Sequence, residues 1–259
     1  MNRYKFNKAL SYLLNAKNEY SLHSPFMFDL YNAVFKARNQ AEFKSIESLR
    51  KNLLQTTTTI EVKDLGAGST VFKSNHRPVS GITNHTSKKK KYARFLANLA
   101  HYNNSSSILE LGTAMGISTS YLALKNPQAS IHTIEGSESI ADCASSNFKT
   151  LELNNIHLHR GNFNDQLPGV LNEMKKVDFA FIDGNHTYSA TVDYFKQLLP
   201  YCTANTVMVF DDIYWSPEMT KAWEEIKQHN QVKASIDMFE FGIVFFNTNL
   251  SKQHFVLRY

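Results

Sequence analysis

Ser107-Ile-Leu-Glu-Leu-Gly-Thr-Ala-Met-Gly-Ile-Ser-Thr-Ser-Tyr-Leu122 is the stretch from which the fold can be read. Ile108 to Leu111 is a short apolar run of the kind that becomes a buried strand. A tight turn carrying Gly112 and Gly116 follows, then an apolar-periodic segment through Ile117, Tyr121, Leu122 and Leu124 that predicts a helix. Strand, glycine turn and helix make the first half of a nucleotide-binding α/β unit. Glycine tolerates positive φ and lets a ligand approach the backbone where a Cβ would obstruct it. The spacing is Gly-x-x-x-Gly, so the Gly-x-Gly-x-x-Gly dinucleotide fingerprint is not met. Glu110, at the strand's end, argues against a pyrophosphate here, because two anions repel. A cationic or hydroxyl-bearing ligand suits it better.

Downstream of residue 107, strands and helices alternate, the pattern of a mostly parallel, doubly wound sheet covered on both faces. Ser130–Glu135 reads as a strand ending in a carboxylate 25 residues after Glu110, at the neighbouring strand's tip, where an acid can accept from ribose hydroxyls. A helix from Ser137 turns Ile140, Ala144, Phe148 and Leu151 to the sheet. A third strand spans Asn155–Gly161, and the loop Asn162-Phe-Asn-Asp165 follows it. The fourth, from Val177, ends in Asp183-Gly-Asn-His186; after a helix (Val192, Phe195, Leu198, Leu199), the fifth, from Thr206, ends in Asp211-Asp212. Neighbouring strands lie about 4.8 Å apart, which sets Asp183 and Asp211 side by side. Three carboxylates gathered at one sheet edge repel unless a cation sits among them. A hard divalent ion, Mg²⁺, matches that oxygen set. A helix over 217–229 and an antiparallel hairpin (Val232–Phe239 with Phe241–Phe246) close the sheet.

Upstream, residues 1 to about 55 predict helices from Phe6, Leu10, Leu13 and Leu14, and again from Phe26, Leu30, Val34 and Phe35 after Ser24-Pro25. Residues 56–87 read as polar and irregular. Within them, Asp64-Leu-Gly-Ala-Gly68 is a second glycine motif, but no strongly apolar strand precedes it and no acid-tipped strand follows at the needed distance. It is read as an edge loop or a flap. His76, Arg77 and Lys73 read as solvated loop residues, with contact to an anionic substrate as the other reading. Ser87 is expected to cap a helix carrying Tyr92, Phe95, Leu96 and Leu99, with Lys88–Lys91 in its first turn. The plan is a helical and irregular N-terminal segment, 1–85, and a ligand-binding domain, 86–259.

The bulk numbers narrow the class. The 259 residues, 42% hydrophobic and 20% charged, are an ordinary globular composition. Two cysteines, Cys143 and Cys202, give no disulfide framework, and a reducing, cytoplasmic setting is expected. No apolar stretch predicts a signal peptide or membrane span. A net charge of +5 is mild, and the lysine run lacks interleaved aromatics, which disfavours nucleic acid as a partner. Oligomeric state is left open.

Glu110-Leu-Gly-x-x-x-Gly-x-Ser118 after an apolar strand resembles the first motif of class I S-adenosylmethionine-dependent methyltransferases, in particular the catechol O-methyltransferase-like branch. The resemblance covers roughly residues 86–250. It implies a Rossmann-like methyltransferase fold with S-adenosylmethionine held by Glu110, Gly112, Thr113, Gly116, Ser118, Glu135 and Gly136. Asn162 and Phe163 would meet the adenine edge, and Asp183 would contribute to the same site. The family's metal triad falls on Asp183, Asp211 and Asp212, with Asp212 standing where asparagine is common. The family's catalytic lysine is replaced by His186, which can act as general base near neutral pH, or as a metal ligand or structural residue. The implied reaction is transfer of a methyl group to a small hydroxylated substrate, with Asp183 and His186 as the catalytic pair and Mg²⁺ as the metal. The Asn/Asp-Pro-Pro-aromatic segment of base-directed methyltransferases is missing after the fourth strand, where Asp-Gly-Asn-His stands. Two other readings are a cofactor-binding interaction module without turnover and a metal enzyme of different chemistry on the same fold.

Overall fold

Helices fill the N-terminal stretch, as its apolar periodicity predicts. The computed structural model describes residues 3–37, 41–63 and 74–259. Helix α1 spans Arg3–Asn15. Helix α2, Pro25–Leu30, starts where Ser24 Oγ accepts the Met27 N–H at 3.5 Å and proline spends no backbone donor. It runs on as a π-helical turn over Tyr31–Phe35, and α3 spans Lys44–Gln55. Residues 56–87 hold more structure than their polarity suggests. Strands β1 (Thr59–Glu61) and β2 (His76–Pro78) pair antiparallel, and α4 spans Val79–Thr86. The Asp64–Gly68 motif and Lys73 lie outside the described residues. Arg77, expected in solvent, is buried opposite Ile60, and its Nε donates to the Ser74 carbonyl at 3.1 Å.

Ser87 closes a helix instead of opening one. Its N–H donates to the Thr83 carbonyl at 3.2 Å, completing α4. Helix α5 therefore begins at Lys90 and runs to Tyr102, so only Lys90 and Lys91 of the lysine run lie within it. From there the alternation holds: β3 (Ser107–Leu111), α6 (Ile117–Lys125), β4 (Ser130–Glu135), α7 (Glu138–Thr150), β5 (Ile156–Arg160) and α8 (Phe163–Met174). Then come β6 (Val177–Ile182), α9 (Tyr188–Leu198), β7 (Cys202–Asp211), α10 (Pro217–Gln228), β8 (Ala234–Asp237), β9 (Phe241–Phe245) and β10 (Gln253–Val256).

The chain divides into two compact units, Ala37–Met174 and a discontinuous one of Met1–Lys36 with Lys175–Tyr259. The N-terminal segment 1–85 is thus shared between them. In the first unit β3, β4 and β5 run parallel, Leu111 opposite Ile134 and Glu135 opposite Arg160. Every residue of β3 is buried, as its unbroken apolar run requires of a covered parallel strand. Phe43, Ile46, Val79, Ile82, Ala97, Ile117 and Tyr121 share one apolar cluster, with Tyr121 stacked on Phe43 at 4.3 Å.

In the second unit β6 and β7 run parallel, β7 pairs antiparallel with β9, β9 with β8, and β10 lies parallel to β8. The expected closing hairpin is β8–β9; β10 is an addition that its polar sequence concealed. Phe179, Phe181, Phe210, Trp223 and Phe241 are essentially fully buried, each such side chain stabilising the fold by about 1.5–3 kcal/mol relative to exposure. At Gly242 a Cβ would come within 2.6 Å of the Trp223 ring, so this glycine in β9 lets the indole close over the strand. The α/β architecture expected from the sequence is present: mostly parallel strands flanked by helices, with an antiparallel closure. Among the described residues no helix is long and apolar enough to cross a membrane, and neither cysteine is bridged.

Candidate active site

The turn after β3 takes three positive φ values, at Gly112 (101°), Ala114 (47°) and Gly116 (75°). Within it the Gly112 and Thr113 N–H groups donate to the Ile134 carbonyl at 3.0 and 3.3 Å and the Gly116 N–H to the Thr113 carbonyl at 2.8 Å, while the Ala114 N–H turns to Glu135. Glu135 Oε2 accepts the Ala114 N–H at 2.9 Å and Oε1 the Ser137 N–H at 2.9 Å; Gly136 contributes a third backbone donor. Burial pushes this carboxyl above the usual range and the three N–H groups oppose that rise. A carboxylate has about four acceptor sites, so it retains capacity for about one further donor. The acid at the tip of β4 therefore lies against the glycine turn, as the spacing from Glu110 predicts.

Glu110 sits differently from its expected place beside a ligand. Its side chain is fully buried, with Ser118 Oγ donating to Oε1 at 2.6 Å, and Thr119 Oγ1 at 2.5 Å and Thr133 Oγ1 at 2.7 Å both on Oε2. Thr133 and Thr113 hydroxyls bond each other at 2.7 Å. Glu110 and Ser118 are thus committed to each other, tying β3, α6 and β4 together behind the turn. Burial raises the Glu110 pKa and the three hydroxyls counter it. Gly116, too, answers to packing: a Cβ there would come within 2.7 Å of the Phe148 Cζ. The Asn147 amide reinforces that contact by donating to the Met115 carbonyl at 2.9 Å.

After β5, the Gly161 N–H donates to the Glu135 carbonyl at 2.9 Å, and Asn162 Oδ1 accepts the Asn164 N–H at 2.8 Å. Asn162 thereby opens α8, with Phe163 as its first residue, and both are half-buried. Gly112, Thr113, Glu135, Gly136, Asn162 and Phe163 all fall at the carboxyl ends of β3, β4 and β5.

In the other unit, Ile182 pairs with Phe210, so the next residues, Asp183 and Asp211, stand side by side at the strand ends. Asp183, His186 and Asp211 each bring a donor atom to within 4.8 Å of the others. His186 Nε2 lies 3.6 Å from Asp183 Oδ1. The tight connection needs left-handed backbone at Asn185 (φ 62°) and His186 (φ 31°), and Asp212 turns the chain similarly at φ 50°. Asn185 is held there by its amide donating to the Tyr194 hydroxyl on α9, and Thr187 caps that helix on the Ala190 N–H. Positive φ at non-glycine residues is unusual and clusters at functional sites.

Asp212 is placed apart from the other two acids. Its Oδ1 is 2.9 Å from Lys5 Nζ, and the converging set contains His186 in its stead. Two carboxylates and an imidazole suit a divalent cation, oxygen donors favouring Mg²⁺ or Mn²⁺ and the nitrogen widening the choice.

Residues 109–213 match the family model described as a methyltransferase domain. Solved structures similar to the chain agree on the fold. A candidate O-methyltransferase from Klebsiella pneumoniae is 17% identical, covering 86% of this chain and 97% of that one at a TM-score of 0.60. The O-methyltransferase from Bacillus cereus, in complex with SAH, is 20% identical over 84% and 96% at 0.57. TomG of Streptomyces achromogenes, an O-methyltransferase involved in tomaymycin synthesis and solved with SAM, is 17% identical over 85% and 96% at 0.57. The fold is that of class I S-adenosylmethionine-dependent methyltransferases.

Residues that sequence reasoning passed over support the acids at the ends of β6 and β7. Lys5 on α1 pairs with Asp212 and lies over the Trp215 ring at 5.3 Å, Trp215 is tilted toward His186 with centroids 6.1 Å apart, and Tyr4 donates to Thr220 Oγ1 at 2.7 Å. The sequence signal was faint: a lysine on a helix more than 200 residues away carries no local pattern. Thr119 and Thr133 were likewise invisible, because only the pairing of β3 with β4 brings them onto Glu110.

Proposed function

We propose that the protein is an S-adenosylmethionine-dependent O-methyltransferase acting on a small hydroxylated molecule, with a divalent metal at Asp183 and Asp211. The observation that carries this reading is the convergence of Asp183, His186 and Asp211 at the ends of β6 and β7, within the residues that match the methyltransferase-domain family model. The cofactor, when bound, supplies the sulfonium methyl group. Glu135 is suited to accept a ribose hydroxyl, the backbone of Gly112 to Gly116 to line the ligand, and Asn162 and Phe163 to border the adenine. A divalent ion, when bound, supplies positive charge that lowers the pKa of a nearby hydroxyl. Asp183 and Asp211 would hold it. His186, 3.6 Å from Asp183, takes the substrate's hydroxyl proton at Nε2, while Asp183 steadies the imidazolium formed. Orienting the oxygen toward the methyl group provides most of the remaining acceleration.

The N-terminal segment is assigned to substrate recognition, because α1 delivers Lys5 to Asp212 and Trp215 beside the acid cluster. Lys5 and Trp215 suit a flat, electron-rich hydroxylated ring.

The test is calorimetric titration of S-adenosylmethionine with and without Mg²⁺ on wild type and Asp183→Ala/Asp211→Ala, followed by a screen of hydroxylated aromatics. Micromolar cofactor binding with a Mg²⁺ signal lost in the variant supports the proposal. Cofactor binding without a metal signal removes the metal and leaves His186 as sole base. No cofactor binding overturns the reading. His186→Asn separates base from ligand: loss of turnover at unchanged metal affinity marks a base, and joint loss marks a ligand.

A further inference from the structure

The second strand pair of the Ala37–Met174 unit carries a cluster the reaction does not use. His132 on β4 stands opposite His157 on β5, their rings stacked at 4.6 Å, and His159 lies two residues further along the same strand face. His132 Nδ1 is 3.0 Å from His159 Nε2, and His132 Nε2 is 3.2 Å from Ser130 Oγ. Glu173, in the last turn of α8, completes the group: one donor atom from each of His132, His159 and Glu173 lies within 4.8 Å of the others. Strand alternation explains the convergence, since residues two apart share a face, and α8 folds back over β4 and β5.

We infer that His132, His159 and Glu173 form a binding site for a transition-metal cation, Zn²⁺ in the first instance, separate from the aspartate site. Ligating nitrogens about 2.0–2.1 Å from a tetrahedral zinc lie roughly 3.3 Å apart. The observed 3.0 Å is a slightly tighter version of that edge. Ser130 supplies the outer partner that a ligating imidazole needs: with the His132 proton on Nε2 facing Ser130 Oγ, Nδ1 presents its lone pair. His159, with its proton on Nδ1, would present Nε2 to the same ion. Two imidazoles and one carboxylate select zinc over Mg²⁺, which prefers oxygen donors. Solvent takes the fourth position. A bound ion staples α8 to β4 and β5 three residues before Glu135, independently of whether the methyltransferase reading holds.

The experiment uses the full chain stripped with chelator, in an Asp183→Asn/Asp211→Asn background so that zinc at the aspartates is not counted. ZnCl₂ is titrated calorimetrically, the bound form is examined by zinc X-ray absorption, and thermal unfolding is followed with and without the ion. One equivalent bound with micromolar or tighter affinity, indifferent to about 10 mM Mg²⁺, with imidazole scattering near 2.0–2.1 Å and a rise in Tm, is expected. His159→Gln should abolish it and Glu173→Gln, at an exposed position, should weaken it at least about tenfold. Affinity weaker than about 100 μM, or affinity unchanged in Glu173→Gln and His159→Gln proteins that circular dichroism shows to be folded, overturns the site.

Discussion

Lys5 Nζ lies 2.9 Å from Asp212 Oδ1, so the tandem acids Asp211 and Asp212 serve different partners. Asp211 is buried and converges with Asp183 and His186; Asp212, at φ 50°, is directed to the N-terminal helix. Successive residues at a strand end point to opposite sides, and the positive φ fixes that divergence.

The division predicts unequal effects on metal binding. Asp211→Asn should weaken Mn²⁺ affinity by at least about tenfold, since it removes a direct charge-bearing ligand. Asp212→Asn should change it less than about threefold, and Lys5→Met should tighten it a few-fold by removing a cation from the neighbourhood. Calorimetric Mn²⁺ titration of the three variants checks the order; equal losses for the two aspartates would restore Asp212 as a ligand.

Gly116 is constrained twice, by φ 75° and by the Phe148 ring where a Cβ would go. Gly116→Ala is expected to lower unfolding free energy by about 2–4 kcal/mol, combining left-handed strain with overpacking. Urea denaturation measures it. A companion Phe148→Leu change should recover part of the loss, because it makes room for the new methyl group.

Glu110 links stability to pH. Burial holds its folded pKa above the ordinary 4.5, so the folded state binds the proton more tightly than the unfolded one. The stabilisation is full below the unfolded value and is lost as pH rises through the folded pKa. Relative to Glu110→Gln, wild type should therefore have its greatest advantage near pH 4.5 and a shrinking one toward neutrality. The variant itself leaves a threonine hydroxyl poorly paired and should cost about 1–3 kcal/mol. Denaturant midpoints across pH 4–8 decide it; a gap that widens with pH would reverse the sign.

Glu135 accepts backbone donors and is the expected ribose acceptor at once. Glu135→Ala should reduce S-adenosylhomocysteine affinity by at least about tenfold while Glu110→Gln reduces it far less, because Glu110 is fully buried behind the turn. Fluorescence or calorimetric titration of the product cofactor compares them.

Much of the architecture was legible because its signals are local. The run Ile108–Leu111, the glycines that follow, and the acids closing the strands at Glu135, Asp183 and Asp211 each announce themselves within a few residues, and each is where periodicity puts it. The polar ribbon β1–β2, helix α4 and strand β10 were not legible, since their partners rather than their own apolar content hold them in place. Ser87 shows the limit of capping rules: a serine between two helices serves whichever one completes its hydrogen bonds, here the earlier.

By itself, then, the sequence determined the alternation of strands and helices over residues 107–246 and the acids that end those strands, because backbone hydrogen bonding and apolar periodicity act between near neighbours. Tertiary structure alone decided which acids keep company. It buried Glu110 among three hydroxyls from α6 and β4, turned Asp212 to Lys5 across more than 200 residues, put His186 with Asp183 and Asp211, and folded Glu173 back onto His132 and His159. Side-chain partnership depends on which strands lie adjacent and how the chain turns between them, and no local window of sequence contains that information.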